Sequence, residues 1–571
     1  MPVYFVKKKY RVFHGTKEPE SEYRPELSEL IKSKFGVGPY TDKKEVRNVL
    51  VYTLEYFIEK FKATIHGELS LDFYRNILWF HEQATELAHF FPHQLVHAEM
   101  PAEYIASYRR ILKMILEEAI EIDMICVEED AVPENMMPRI EDKLNHLLFL
   151  GDMILMCTNM FAEQDMVEDV AEVITDEKGY YVFKRKHHYE AIFNHIKSDW
   201  GTHLTKAVVD DSMLADFKSA LKECIGVEYD HTGNIVGALD AEFRKQFGWC
   251  PPLEWELLPK NLSHIFGYDE AICEQYYRGL TLNRSNKMDL FDLVCKPYKI
   301  NRYLYRPILI WSIEGRNRAF LGKNAWAESI NQLDTNAIPW GKAPEEWMEN
   351  KCFADYVHSK EDDHDKWLDD AVEVKLESLD VLYDRNVTSL KARKGSHKGI
   401  DIQGVGEVDF IIVVPSMAKI FISDCKHLLG RYDMVNQKND YNAFTKPTKK
   451  KRSYNQSLAD KLEFFEKERE ALEEHFKIIT GNNELDFSDY TLEGIFIINS
   501  PTFYMHNSEY RIYTIAQIES VLKGEFTDPE FMVYVDGEDQ EKMINVKYPY
   551  FKKPKYVLFD PYEEDIKDNE E

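Results

Sequence analysis

Within Gly406–Gly430, "GEVDFIIVVPSMAKIFISDCKHLLG", acidic and basic residues interrupt two strongly apolar runs. Residues two apart on a strand share a face, so Asp424 and Lys426 project together while Ser423, Cys425 and His427 face the other way. If "VDFIIVV" and "KIFISDCKH" pair through the Pro-Ser-Met-Ala connection, Asp409 at the start of the first run comes beside Asp424 at the end of the second. Carboxylates among Ile and Val are costly to bury unless they are paired or bind a metal. Hard oxygen ligands favour Mg2+ or Mn2+ over zinc, and such ions keep waters and engage phosphate. The chemistry expected is metal-assisted phosphoryl transfer, with Lys426 orienting the attacking water or stabilising developing charge.

The elements that must position these residues read as helix, three strands, helix, strand, helix. "WLDDAVEVKLESLDVLY" is the first helix and a strand follows through "NVTSLKAR". The two apolar runs come next, then a lysine-rich loop, one long charged helix "SLADKLEFFEKEREALEEHF", the strand "EGIFIIN" and a final "YTIAQIESVL". This is a mixed α/β plan.

The pattern resembles the PD-(D/E)XK nuclease superfamily, with its restriction-endonuclease-like fold. That family carries an acid on the first helix, an Asp opening the second strand, and Asp or Glu, any residue, then Lys on the third. Asp409, preceded by Gly406-Glu407, matches the first Asp, and Asp424-Cys425-Lys426 matches the tripeptide. Glu373 is the best match to the helix acid, with Glu377 and Asp370 as alternatives. The resemblance implies a metal site of Asp409, Asp424, the Cys425 backbone carbonyl and Glu373. A Gln or Lys on the following helix is common in the family; Gln456 stands as the catalytic-site candidate, and Lys461 as a contact to nucleic acid. The match spans roughly residues 365–522 and none of the N-terminal part. A D-x-K tripeptide alone is common in a chain with 30% charged residues, so its setting carries the signal. The rival readings are a nuclease fold used only for binding and a surface hairpin with ordinary salt bridges.

Basic residues flank this core: Lys391, Arg393, Lys394 and Lys398 before the hairpin, and Lys446, Lys449, Lys450, Lys451 and Arg452 after it. A formal charge of −29 opposes unguided binding to polyanions, so a nucleic-acid surface must be local, as these stripes are. "KPTKKKR" also reads as a solvated loop or a nuclear-import signal. Family analogy favours DNA over RNA, and the architecture suggests bacterial restriction or anti-phage defence, with a homo-oligomer or a partner subunit of a defence complex left open.

The 571 residues exceed one usual core. The division expected is a helical bundle over 1–170, a mixed α/β region with hairpins over 171–355, the nuclease-like domain over 356–530, and an extension with an acidic tail over 531–571. The fold class expected is therefore α+β and multi-domain, mainly helical at the N-terminus. Four helical segments between Asp42 and Phe161 are separated by Pro92, Pro101, Pro133 and Pro138. "EVITDEKGYYVFKRK" and "YRPILIWSIEGRNRAFLG" read as hairpins, the second turning at Glu-Gly-Arg-Asn.

The apolar run at the N-terminus is too short for a signal peptide, and "NHLLFLGDMILMCTNMF", with Asp152 inside it, suits a buried helix better than a membrane span. Eight cysteines without paired spacing suit a reducing compartment and support neither a zinc ribbon nor a disulfide framework. A cytoplasmic protein with no membrane partner is the expectation. "HQLVH" has Gln94 where a zinc hydrolase needs Glu, and "GRNRAFLGKN" has the wrong spacing for a P-loop, with Asn324 instead of Ser or Thr.

Overall fold

The structure, a computed structural model, describes residues 3–6, 10–90, 102–126, 133–167, 169–186, 189–190, 192–194, 211–245, 252–297, 299–391, 398–399, 405–430, 433–449, 451–536 and 541–551. It is a mixed α+β protein, helical first and with its largest sheet late in the chain.

The four stretches expected from the sequence close into two compact units. The first comprises Met1–Phe161, Val173–Phe183 and Ala207–Asp363; the second comprises Ala162–Glu172, Lys184–Lys206 and His364–Glu571. Aromatic contacts explain why short middle segments join the second unit. Phe193 stacks on Phe503 with centroids 5.1 Å apart, and Tyr189 stacks on Phe551 at 6.1 Å. The Arg185 guanidinium grips both oxygens of the buried Glu163 carboxylate at 2.6 and 2.8 Å. The acidic tail lies outside the described residues.

In the first unit, the helices Glu20–Phe35, Lys43–His66, Leu71–Phe90 and Ala102–Glu118 bury the apolar stripes that their spacing predicts. Asp42 starts the second of them, its carboxylate accepting from the amides of Lys44 and Glu45. The Ile308–Ile313 and Arg316–Phe320 strands form the expected hairpin. The turn is tighter than expected: only Glu314 and Gly315 lie in it, both with positive φ, and Arg316 already pairs with Ile313. Among the described residues, one helical stretch, Arg139–Met166, is long and apolar enough to cross a membrane, and 67% of its apolar window is buried inside the protein.

One cysteine expectation is corrected. Cys224 and Cys352 form a disulfide across 128 residues of chain. Its partners meet because the turn Leu221–Ile225 packs at the start of a long helix, a tertiary contact that local cysteine spacing does not encode.

The second unit is a three-layer sandwich. Its elements are α1 (Lys351–Glu377, entering this unit at His364), β1 (Leu382–Val387), β2 (Val408–Val414), β3 (Lys419–Lys426), α2 (Met434–Thr445), α3 (Tyr454–Lys467), α4 (Arg469–Thr480), β4 (Thr491–Ile498), β5 (Arg511–Thr514) and α5 (Ile518–Leu522). The sheet order is β5-β4-β3-β2-β1. Strands β1, β2 and β3 form an antiparallel meander, while β3, β4 and β5 run parallel. Ile411, Val413, Ile420, Ile422, Phe496 and Ile498 pack towards α2–α4. Phe410, Ile412, Val414, Phe421, Ile495 and Ile497 pack towards α1 and α5. Burial on both faces is why these strands read as continuous apolar runs.

Two details differ from the sequence reading. The long charged helix breaks at Glu468 into α3 and α4, where Arg469 bridges the Glu466 carboxylate at 3.0 Å and the Tyr490 carbonyl at 2.8 Å. Helix α2 was not expected, because its polar composition lacks a clear apolar stripe; it is started by the Asp433 carboxylate, which accepts from the Asn436 amide. Helix α3 lies close on β4 at Gly494, where an added Cβ would stand 2.7 Å from a Leu462 methyl.

Candidate functional site

The ends of β2 and β3 bring the acidic residues together. Phe410 pairs with Ser423, so the next positions outward are Asp409 and Asp424. The Asp409 carboxylate accepts from the Cys425 amide at 2.6 Å, which fixes it at the strand end. Lys426 stands between the two acids, its Nζ 3.6 Å from an oxygen of each. Thus Asp409, Asp424 and Lys426, singled out from the sequence, meet in one place.

The helix acid differs from the one expected. Asp369, on α1, lies with Asp409 and Cys425 in a group whose ligand atoms are all within 4.8 Å of one another. Glu373 is one turn further along and is held by Arg385 at 2.6 Å, as is Asp370. Glu377 is exposed. Arg385 on β1 therefore sorts the acids of α1, holding Asp370 and Glu373 at 2.6 Å while Asp369, 4.0 Å from the same guanidinium, is the one grouped with Asp409 and Cys425.

Gln456 is also reassigned. Its side chain accepts from the Ser453 amide at 3.3 Å, and the Gln456 amide donates to the Ser453 hydroxyl at 3.2 Å. This is a capping box for α3. Lys461, expected to face nucleic acid, instead points into the protein, only 5% exposed, and donates to Asp424 at 2.6 Å. The Cys425 carbonyl, expected as a metal ligand, accepts from Lys426 Nζ at 2.9 Å.

Burial sets the electrostatics. Burial, then the neighbouring Asp409 charge, push the Asp369 carboxyl up to about 6, against a hydrogen bond from the Cys425 thiol. Burial also raises the Asp409 carboxyl; Lys426 opposes this and Asp424 adds to it. The Cys425 thiol is pushed well up by burial and by Asp409 and Asp369. A protonated thiol is a poor ligand for a hard cation, so within that group Asp369 and Asp409 are the fitting donors, with Asp424 beside them and one of its oxygens held by Lys461. For Lys426, burial acts to lower the ammonium, but Asp424 and Asp409 outweigh it and hold it above its ordinary range. Burial and His364 pull His427 down to about 4, so its ring is neutral at physiological pH.

Of the basic residues, Lys449, Lys451 and Arg452 are exposed on the turn before α3. Lys451 Nζ stands 5.4 Å from the centre of the Tyr454 ring, and Lys426 Nζ stands 5.2 Å from the same ring. The basic turn and the lysine of the site thus share one aromatic residue. Arg452 is paired with Asp460. Lys391 is exposed, with its amide bound to His475. Arg393, Lys394, Lys450 and the Lys398 side chain lie outside the described residues.

The chain has no match among known protein families, curated proteins or solved structures.

Proposed function

We propose that the protein is a metal-dependent nuclease hydrolysing phosphodiester bonds, with Mg2+ or Mn2+ held by Asp369, Asp409 and Asp424. The observation that carries this reading is the place of Asp409 on β2, which is grouped with Asp369 of α1 and Cys425 on one side and shares the Lys426 ammonium with Asp424 of β3, at 3.6 Å each, on the other. Carboxylates whose pKa values rise through burial, with a neighbouring carboxylate adding to it, are suited to a divalent cation, which would offset the cost of keeping them charged. A hard cation at these oxygens supplies Lewis-acid polarisation of a phosphoryl oxygen and a more acidic bound water.

The chain's own residues divide the remaining work. Lys461 neutralises the buried Asp424 and holds it in one rotamer. Lys426 keeps its proton and presents a donor where charge develops on the phosphate or where the attacking water must be oriented. Lys449 and Lys451 give sequence-independent phosphate contacts next to Tyr454. The run α1, β1-β2-β3, helices, β4 fits the order implied by the resemblance to the PD-(D/E)XK superfamily, and by that analogy DNA is the favoured substrate and restriction or anti-phage defence the setting.

The test is incubation of plasmid DNA and of RNA with the full-length protein and Mg2+ or Mn2+, beside Asp409→Asn and Lys426→Ala. Cleavage by the wild type alone is expected. Equal cleavage by all three proteins sinks the assignment, and binding without cleavage by the wild type points to a nuclease fold used as a binding or scaffold subunit.

A further inference from the structure

Beside the carboxylates lies a ladder of rings. His427 directly follows Lys426, and its Nδ1 is hydrogen-bonded to the His364 carbonyl at 2.6 Å. The His364 and His427 rings stack face to face, with centroids 3.4 Å apart and planes 13° from parallel. Trp367, one turn along α1 from His364, ends the ladder, its ring 5.4 Å from His427 and tilted 36° to it. Its neighbour Leu368 is 1% exposed, whereas Trp367 is 53% exposed. The same turn of α1 then supplies Asp369 to the acidic group.

Scattered exposed apolar residues are ordinary on protein surfaces. Trp367 differs because it lies against the stacked His364–His427 pair, and His427 directly follows Lys426 of the site. We infer that Trp367, backed by His427 and His364, is a stacking platform for a nucleobase, so that the substrate class is nucleic acid with an unpaired nucleotide at the cleavage point, single-stranded or frayed. The inference rests on the nuclease reading. Stacking also supplies what charge does not: in a chain of formal charge −29, with acids lining α1, a salt-insensitive contact to the flat face of a base holds the strand where phosphate attraction is weak. A base inside an uninterrupted duplex presents only its edge, so the platform selects strands whose bases can leave the stack.

The test compares wild type, Trp367→Ala and Trp367→Phe, each full length. Binding of a labelled oligothymidylate of about a dozen nucleotides is measured in EDTA beside an abasic strand and a duplex of equal length. Trp367→Ala is expected to weaken the oligothymidylate roughly 5- to 150-fold, with Trp367→Phe in between and the abasic strand unaffected. In Mn2+, the same substitution is expected to raise KM on single strands with little change in kcat. Equal losses on oligothymidylate and abasic strand, or no loss, overturn the platform. Wild-type protein that cuts nothing overturns the nuclease reading instead, and the binding arm in EDTA still decides the platform.

Discussion

Replacing Asp369 by asparagine is expected to stabilise the metal-free protein while removing its response to metal. The Asp369 carboxyl is pushed from 3.8 up to about 6, so the folded state keeps a proton that the unfolded chain gives up earlier. At about 1.4 kcal/mol per factor of ten, the charged form carries a penalty of roughly 3 kcal/mol above that value. The side chain is 19% exposed, and solvent screening brings the expected gain to about 2 kcal/mol. For a carboxyl with a raised pKa, stability is highest when the group is protonated and falls as pH rises through the interval between the two values. The gain from asparagine is therefore full at about pH 7.5 and about half as large at about pH 5. Urea unfolding in EDTA at both pH values measures it, and the same titration in Mn2+ tests the other half. There the wild type gains stability by ligand linkage and the variant gains little. A variant that is destabilised in EDTA, or equally stabilised at both pH values, refutes the account of a buried carboxylate beside a second one.

Three further outcomes follow from the same structure. Lys461→Met removes the closer of the two ammonium groups on the buried Asp424, leaving Lys426 at 3.6 Å, and is expected to cost about 3 kcal/mol by urea unfolding, with Lys461→Arg costing less. Neutralising Lys449 and Lys451 together is expected to lower the slope of log affinity against log salt by up to about 2 for duplex DNA, and an unchanged slope returns these lysines to a solvated turn. Cys352→Ser is expected to cost about 2–4 kcal/mol, with a reductant lowering wild-type stability to the same level; a variant as stable as the oxidised wild type counts against a structural role for the disulfide.

The strand residues of the site were legible because their information is local. Period-two alternation puts Asp424 and Lys426 on one face, and the short connection between two apolar runs brings Asp409 opposite. The helix acid was not, because Asp369, Asp370 and Glu373 are equivalent on α1 until the position of Arg385 on β1 separates them. Gln456 carried a readable signal: Ser453 three residues before it is the pattern of a capping box, and that explanation competes directly with a catalytic one. Lys461 was identified as relevant but given the wrong direction, since a charged helix does not reveal which lysine has a buried carboxylate waiting below it. The Cys224–Cys352 pair was invisible for a different reason, its partners being 128 residues apart.

Gly494 gives the site an unexpected dependency. It carries no functional group, and it sits on β4 opposite Ile422, away from the acidic cluster. Yet the space where its Cβ would be is filled by Leu462, with Leu458 close behind, and these two leucines bracket Lys461 on α3. The absence of a side chain on β4 thus sets how deep the helix can sit, and that depth decides whether the ammonium reaches Asp424. Sequence drift at a position with no chemistry of its own would reach the chemistry all the same, as a change in helix height.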